Sequence, residues 1–516
     1  MPVNTNVSQG QRRSETEGEK FSPRSPGNSA RWRRGLSHAG VYHCFGLVFC
    51  LLYVWLSGLS LGFEHAILPK DRPVLGFVAL YFLLFGVHML VCKVTAGSIS
   101  KGIWSIFLWG IAFRLVLLPS VPILEDDYYR YLWDGYTLKS GVSPYASSPL
   151  DVARRVADSS ADSSGPFAPS SVGLLVDSVR KSPTLLEIVR RVNHPEVKTI
   201  YPPAAQVFFA AVWVGAPDDI TLDSLRWRMR LLYLALECAI FFVFMGLVRK
   251  LGRAPGHVLL YWWNPIVIRE VYNGLHIDLL PALLVLLAMA LWVRGGRLGA
   301  AVSIAGATCT KLYGIVVAAA LFERTRAYGW FLVALGTLCG SVALAMYLTV
   351  GLVPEGLAAY SSSWEMHSFF YRFATGSVNV LPFEVNARAV ATAICLLGYL
   401  SCVIFVVRRK HVDRVESAGL LLALLPLFSP AAFPWYSIWF VPLLPFMRWQ
   451  TWIALPPCLA VYYLRFWALY SEPSLTIGSV SLVGTEIFDL VISPAAYILF
   501  FVWVALSELK LRRSEP

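Results

Sequence analysis

The chain has 516 residues, 56% of them hydrophobic and 15% charged, with a mean hydropathy of +0.58; several apolar runs approach the ~20 residues that a membrane-spanning helix needs, which excludes a string of soluble domains. The net charge of +12 sits in short basic clusters beside those runs, so it reports orientation in a membrane rather than a nucleic-acid partner. Its nine cysteines lie in or beside apolar segments with no CxxC pair, which indicates neither a disulfide framework nor a zinc site.

Residues 1–40 are rich in Ser, Arg, Glu and Gly. They hold too few large apolar groups to offset their ordering entropy, and read as a disordered cytoplasmic tail. Arg31, Arg33 and Arg34 directly precede the first apolar run, which is too long for a signal peptide and lacks a small-residue cleavage site. From there, 41–508 read as one polytopic membrane domain and 509–516 as a second cytoplasmic tail. Helices are expected at 41–62, 73–92 and 102–119, and three crossings deliver Glu125, Asp126 and Asp127 to the side away from the cytoplasm. Carboxylates at that depth are costly unless they meet water or a substrate, so their default reading is functional. From Asp127 to Leu138 the pattern suits a short amphipathic helix, with acids in its first turn where the dipole favours them and Gly141 and Pro144 ending it. Tyr128, Tyr129, Tyr131 and Trp133 would hold it at the membrane interface. The competing reading is structural: an acidic run as a helix-start preference, and the aromatic residues as an anchor and nothing more.

The polar stretch 120–200 is the longest in the chain, and loops beyond ~15 residues are usually functional or disordered. Its middle, Ser147–Ser171, reads as mobile and Leu185–Val192 as helical. Further crossings are expected at 231–248, 256–273, 277–293, 299–322, 328–350, 388–407, 416–429, 436–447, 451–470 and 490–508. Basic clusters mark the inner loops: Arg249, Lys250 and Arg253; Arg294 and Arg297; Arg324 and Arg326; Arg408, Arg409 and Lys410; Arg448; Lys510, Arg512 and Arg513. Keeping all of them inside requires that 202–215 not fully cross and that 299–322 enter and return as two half-helices hinged near Lys311. Broken backbone at membrane depth is tolerated where protein buries it or where it lines a wet cavity, so both places should border a polar pocket.

The string DDYYRYLWDG from Asp126, followed by GVSPY from Gly141, resembles the first extracytoplasmic loop of GT-C integral-membrane glycosyltransferases, in particular the polyprenyl-phosphate-mannose-dependent mannosyltransferase-like group. Further similar pieces follow in that family's order: YPPAAQ at Tyr201, NGLHID at Asn273, TKLYG at Thr310 and FPWYSIWFVPLLPF at Phe433. The resemblance covers about Arg114 to Phe446. It implies an all-α polytopic transmembrane helix bundle of GT-C type, with roughly 12 to 14 crossings or half-crossings and a long first catalytic extracytoplasmic loop. It implies a multi-pass protein of the bacterial inner membrane, both termini cytoplasmic, that moves a hexose, mannose by the family's usage, from a polyprenyl-phosphate sugar to a glycan or glycolipid acceptor at the outer face, with inversion. No cofactor or metal is implied, because the lipid-linked donor carries its own phosphate leaving group.

By the same resemblance Asp127, three residues before Arg130 as in the family's acidic-x-x-Arg-Tyr pattern, is the expected base, with Asp126 its rival or the group that orients the acceptor. Two adjacent carboxylates do not both ionise easily in a low-dielectric site. Arg130, Tyr131, Asp134, Tyr201, Gln206, Asn273, His276, Asp278, Lys311, Tyr313 and Tyr436 are the expected substrate-side residues. Several have a structural alternative. Arg269 and Glu270 can neutralise each other as an intramembrane pair, which leaves Asn273, His276 and Asp278 as the better candidates in that turn. H-x-D without a second compact ligand motif makes a weak metal case. Lys311 needs an anion to keep its proton: a lipid phosphate, for which Lys is a competent point charge, or an acidic residue of the bundle. Tyr201 to Gln206 reads first as a Pro-initiated helix start, with a Gln206 bond to a sugar hydroxyl as the alternative. Trp364, Glu365, His367, Tyr371 and Arg372 in the loop 351–385 fit an aromatic lid or an interfacial helix, and Arg372 is a second phosphate candidate. The three leading helices and the Ser/Asp-rich insert are not required by the family core. Two rival classes are a secondary transporter, against which stand the single long acidic loop and the lack of paired interrupted halves, and a non-catalytic lipid-binding assembly subunit.

Overall fold

A computed structural model describes residues 38–95, 102–158, 170–323, 325–350, 364–380, 386–409, 412–478 and 480–514. The expected disordered tail lies outside the described residues except for 38–40, as does the centre of Ser147–Ser171. Arg324 and Lys410 are likewise outside them.

The chain is a helical membrane protein. Among the described residues, seven helices are long and apolar enough to cross a membrane: Gly40–Phe63, Val74–Thr95, Leu222–Lys250, Arg326–Leu348, Ala387–Arg408, Trp449–Ser471 and Thr485–Arg513. Leu51, Trp55, Leu108, Trp330, Leu348, Leu397 and Leu499 are all more than half exposed, more large apolar side chain than a water-facing surface carries.

Seven is fewer than the expected crossings because several segments are short or broken, each for a local reason. Ile103–Val116 and Leu279–Val293 are apolar but only 14 and 15 residues long. The expected helix over 256–273 stops after Trp262 and restarts at Pro265, which cannot donate to the preceding turn. Asn264 caps the restart by accepting the Ile266 N–H at 3.1 Å, and Ile268–Asn273 then winds as a π-helix. The expected α-helix over 436–447 is instead two 3-10 segments, Pro434–Trp439 and Val441–Phe446, since Pro434, Pro442 and Pro445 remove backbone donors. The segment 299–322 divides at Lys311, which is extended (φ −148°, ψ 131°) between Arg297–Thr308 and a short helical stretch from Leu312 to Ala320. Pro203–Ala211 has nine residues, or ~14 Å, too short to span. A small antiparallel hairpin, Ser474–Ile477 with Val480–Val483, was not expected.

The acidic helix forms over Asp127–Lys139 and is held down by the short helices Pro183–Arg191 and Pro203–Ala211. Tyr131 stacks on Phe209 at 4.6 Å, Trp213 Nε1 donates to the Leu132 carbonyl at 2.9 Å, and a Cβ on Gly135 would lie 2.3 Å from the Phe209 carbonyl oxygen. Tyr128, Tyr129, Tyr131 and Trp133 are therefore buried in protein. They do not sit as anchors at a lipid interface, because the loop's own short helices cover the faces they present.

Candidate functional site

Between Ile103–Val116 and the acidic helix, the linker 117–126 is pinned rather than free. Asn273 donates to the Val121 carbonyl (2.7 Å) and Ser120 Oγ (3.1 Å) and accepts the Ile123 N–H (3.1 Å), while Arg230 donates to the carbonyls of Leu118 and Ser120. Leu124 is forced into the left-handed region (φ 55°), a cost that persists only where surrounding structure over-determines it and that clusters at functional sites. The next three residues are Glu125, Asp126 and Asp127, and they open onto a cavity of about 470 Å³. Arg72, Arg130, Lys311, Tyr201 and Tyr313 also line it, together with Trp364, Trp435, Tyr436, Trp439 and Tyr470.

Asp126 holds the N-cap position of the acidic helix, but its side chain makes no capping bond. The Asn193 amide instead donates to Asp126 Oδ1 (2.9 Å) and Asp127 Oδ1 (2.7 Å), holding the two carboxylates side by side. The Asp126 carboxyl opens to the cavity, yet protein walls it on most sides. That partial desolvation, reinforced by the neighbouring Asp127 and Glu125 charges and opposed by the Asn193 bond, pushes its pKa up to about 7.

Beneath the carboxylates lies a buried network. His276 sits with Nδ1 4.0 Å from Asp127 Oδ2 and Nε2 3.3 Å from Glu125 Oε2 and 3.7 Å from Glu270 Oε2. Its ring stacks on Trp435 at 3.9 Å, and neither ring nitrogen completes a hydrogen bond. Leu275, also left-handed at φ 63°, aims it. Arg269 pairs with Glu270 at 2.6 Å and with Glu125 at 3.4 Å, so the neighbouring charges do neutralise each other, within a cluster that includes Glu125. Tyr81 donates to Glu270 at 2.9 Å, and Tyr463 lies 2.6 Å from Glu125 and 2.9 Å from Glu270. Glu125, Glu270 and His276 place three ligand atoms within 4.8 Å of one another. Glu270 Oε2 is shared already by Arg269 and Tyr463.

The expected site residues fall into two layers. Asp126, Asp127, Arg130, Tyr201, Lys311, Tyr313 and Tyr436 line the cavity. Arg130 spends Nη2 on the carbonyls of Asn193 (3.2 Å) and His194 (2.9 Å), and its buried Nη1 has no partner. Lys311 finds the bundle carboxylate, Asp278, at 2.8 Å to both oxygens, and Trp439 Nε1 donates to the same group at 2.6 Å. Tyr436 and Tyr313 stack on Trp439 at 4.0 and 4.3 Å.

Tyr131, Asp134, Gln206, Asn273, His276 and Asp278 form the layer behind. Gln206 Nε2 donates to Thr199 Oγ1 (2.8 Å), Asp134 Oδ2 (3.2 Å) and the Tyr201 carbonyl (3.3 Å); it is directed at the acidic helix, not at the cavity. Burial raises the Asp134 carboxyl above the usual range. Arg372 is tied to Asp489 (3.1 Å) and Glu365 (3.7 Å) and does not line the cavity. Asn193 and Arg72 carried no sequence signal, since a lone Asn before His-Pro and a lone Arg before Pro match many turns. Trp435 and Trp439 stand on either side of Tyr436 in FPWYSIWF and were accessible to sequence reasoning.

No family model, no curated protein and no solved structure matches the chain. Its function therefore has to be read from the chemistry of this site.

Proposed function

We propose that the protein is a GT-C-type, inverting glycosyltransferase that moves a hexose from a polyprenyl-phosphate sugar to a glycan or glycolipid hydroxyl. The observation that carries this reading is the Asp126–Asp127 pair, held by one amide, uncommitted to helix capping and open to an aromatic-walled cavity in a membrane bundle. In the proposed reaction Asp127 takes the proton of the acceptor hydroxyl as its oxygen attacks the anomeric carbon from the face opposite the phosphate. The bond from that carbon to the phosphate oxygen breaks, and its electron pair leaves with the polyprenyl phosphate. Arg130, with a free Nη1, is placed to donate to the developing charge. Lys311 contributes less than a free ammonium would, because Asp278 neutralises it.

Orientation is part of the proposal. The helix Leu222–Lys250 has 29 residues, a rise of ~42 Å. Arg230, near its start, holds the acidic linker, whereas Arg249 and Lys250 end it. At that far end Arg253, Arg448 and Leu511 border one small pocket, and Arg448 pairs with Glu508 at 2.8 Å. Arg249, Lys250, Arg253 and Arg448 thus gather a membrane thickness from the cavity. The cavity side is also basic, with Arg226, Arg228 and Arg230 at the start of the same helix, but there the charges border a long loop, and the positive-inside rule, which counts short loops, favours an outward-facing site and a cytoplasmic C-terminus.

The test is incubation of the purified protein with a panel of polyprenyl-phosphate hexoses and membrane acceptors. The expected product carries the sugar with inverted anomeric configuration; no transfer from any donor, while the lipid is still bound, would favour the non-catalytic assembly subunit. Donor binding should also depend on pH through Asp126. Below about 7 that carboxyl is neutral, and above it a further negative charge faces a donor phosphodiester that stays monoanionic throughout. Donor affinity is expected to fall as pH rises through about 7, and Asp126→Asn to flatten the fall, as read by equilibrium binding on either side of that pH. The same raised pKa means that the folded chain holds this proton more tightly than the unfolded one, so its contribution to stability declines as pH climbs from the usual aspartate range to about 7.

A further inference from the structure

The loop between the first two long helices closes on the cavity, and it belongs to the part of the chain that lies outside every motif named above. It is stiff. Its 3-10 turn Pro69–Asp71 is bracketed by Pro69 and Pro73; the Asp71 N–H donates to the Leu68 carbonyl at 2.9 Å, the Val74 N–H to the Arg72 carbonyl at 2.8 Å, and Arg72 Nε to the Ile67 carbonyl at 3.3 Å. The turn packs on Leu464–Ser471, from which the Tyr470 ring faces the Arg72 guanidinium at 6.0 Å. Tyr470 is within electrostatic reach of both Arg72 and Asp126, and all three line the cavity.

Three cations at or near the site are committed to carboxylates, Lys311 to Asp278, Arg269 to Glu270 and Glu125, and Arg372 to Asp489, while Arg130 spends Nη2 on two carbonyls. Arg72 makes no ion pair among the described residues; its contacts are a carbonyl and an aromatic ring. A half-buried guanidinium with donors to spare, lining the same cavity as Glu125, Asp126 and Asp127 without pairing with them, is placed to receive an anion that enters from outside. The surroundings name the carrier of that anion. Leu61, Leu68 and Leu75, in and beside the loop, are 54%, 59% and 52% exposed, alternating with exposed Glu64, His65, Lys70 and Asp71; such a mixed apolar and charged surface suits the boundary where an isoprenoid chain meets its phosphate.

We propose that Arg72 binds the phosphate of the polyprenyl-linked donor, so that the leading helices contribute directly to the donor site. The inference deepens the proposed function and rests on it for the class of lipid. An Arg fork can engage two phosphate oxygens, which a Lys cannot match in geometry although it keeps the charge.

Equilibrium binding of polyprenyl monophosphate, uncharged polyprenol and inorganic phosphate to the full chain in nanodiscs tests it, with wild type, Arg72→Gln and Arg72→Lys compared. Arg72→Gln is expected to weaken polyprenyl monophosphate about 10-fold or more and to leave polyprenol unchanged, with Arg72→Lys in between. Equal affinity of wild type and Arg72→Gln for polyprenyl monophosphate overturns the assignment, as does Arg72→Lys behaving like Arg72→Gln, which a loop brace through Ile67 predicts. Inorganic phosphate binding to wild type as tightly as the lipid overturns the lipid part and leaves a free-phosphate site. Failure of wild type itself to bind polyprenyl monophosphate is a separate result, which removes the lipid-donor reading and this inference together.

Discussion

Asp127→Asn is expected to lower sugar transfer by on the order of 10²-fold or more, the usual scale of a general base, with donor binding nearly unchanged. The substitution keeps the size of the side chain, and an amide oxygen still accepts the Asn193 bond made at 2.7 Å, so what is lost is basicity rather than architecture. Asp126→Asn should be milder. If both variants are equally crippled, the pair shares one proton and the base is the pair rather than either member. The structural alternative makes the opposite forecast, because Asn caps a helix about as well as Asp. The absence of a capping bond from Asp126 already weakens that alternative on geometric grounds. Initial rates of transfer, measured beside equilibrium donor binding, decide between them. Normal transfer by both variants would remove the catalytic role of the acidic pair and most of the case for a glycosyltransferase.

Local pattern was legible where one physical cause dominated. The acidic first turn and the Gly141 stop placed a helix at Asp127 to Leu138, and it forms over Asp127–Lys139. Keeping the basic loops on one side required a break in 299–322 near Lys311, and the backbone is extended there. The partner of Lys311, Asp278, was one of two open possibilities. Sequence could not choose between it and a lipid phosphate because 33 residues separate the two groups, and only tertiary packing brings them to 2.8 Å.

Proline density explains much of what was misread. Hydropathy over 436–447 is that of a spanning helix, and the three prolines between Pro434 and Pro445 turn it into 3-10 segments that present Trp435, Tyr436 and Trp439 to the cavity. The aromatic run YYRYLW has the composition of an interfacial belt, but its burial depends on short helices contributed by 183–191 and 203–211, which no local window includes. The two-layer division of the candidate residues was invisible for the same reason. Gln206 and Arg130 have similar motif credentials, yet one bonds to Asp134 behind the acidic helix and the other lines the cavity.

Glu237→Ala is expected to destabilise the protein by roughly 3–5 kcal/mol, the range for removing one partner of a buried ion pair, and to impair the site from a distance. Glu237 and Arg114 are both fully buried, with Nη2–Oε1 at 2.6 Å and Nε–Oε2 at 2.8 Å, and the Tyr272 hydroxyl donates to Glu237 Oε2 at 2.6 Å. Without the carboxylate, Arg114 keeps only the carbonyls of Gly110 and Trp262, and Tyr272 loses its acceptor. A charge left without its counterion costs far more than the pair contributed while intact. The double variant Arg114→Met with Glu237→Leu removes that orphan and should recover most of the loss, as thermal unfolding in detergent would show. The pair joins the helix Ile103–Val116, which leads into the acidic linker, to Leu222–Lys250 and, through the Tyr272 hydroxyl, to the π-helix Ile268–Asn273, whose last residue pins that linker through three bonds. π-helical turns are frequent at functional sites. Here the extra residue per turn accompanies the seating of Tyr272 against Glu237 and Asn273 against the linker, with Glu270 in the carboxylate network between them. Activity in Glu237→Ala should therefore fall further than its folded fraction, whereas the double variant, stable but with Tyr272 still unpaired, should refold without regaining full turnover. If Glu237→Ala unfolds at the wild-type temperature, the Arg114–Glu237 pair is not the brace that sets the position of the acidic cluster.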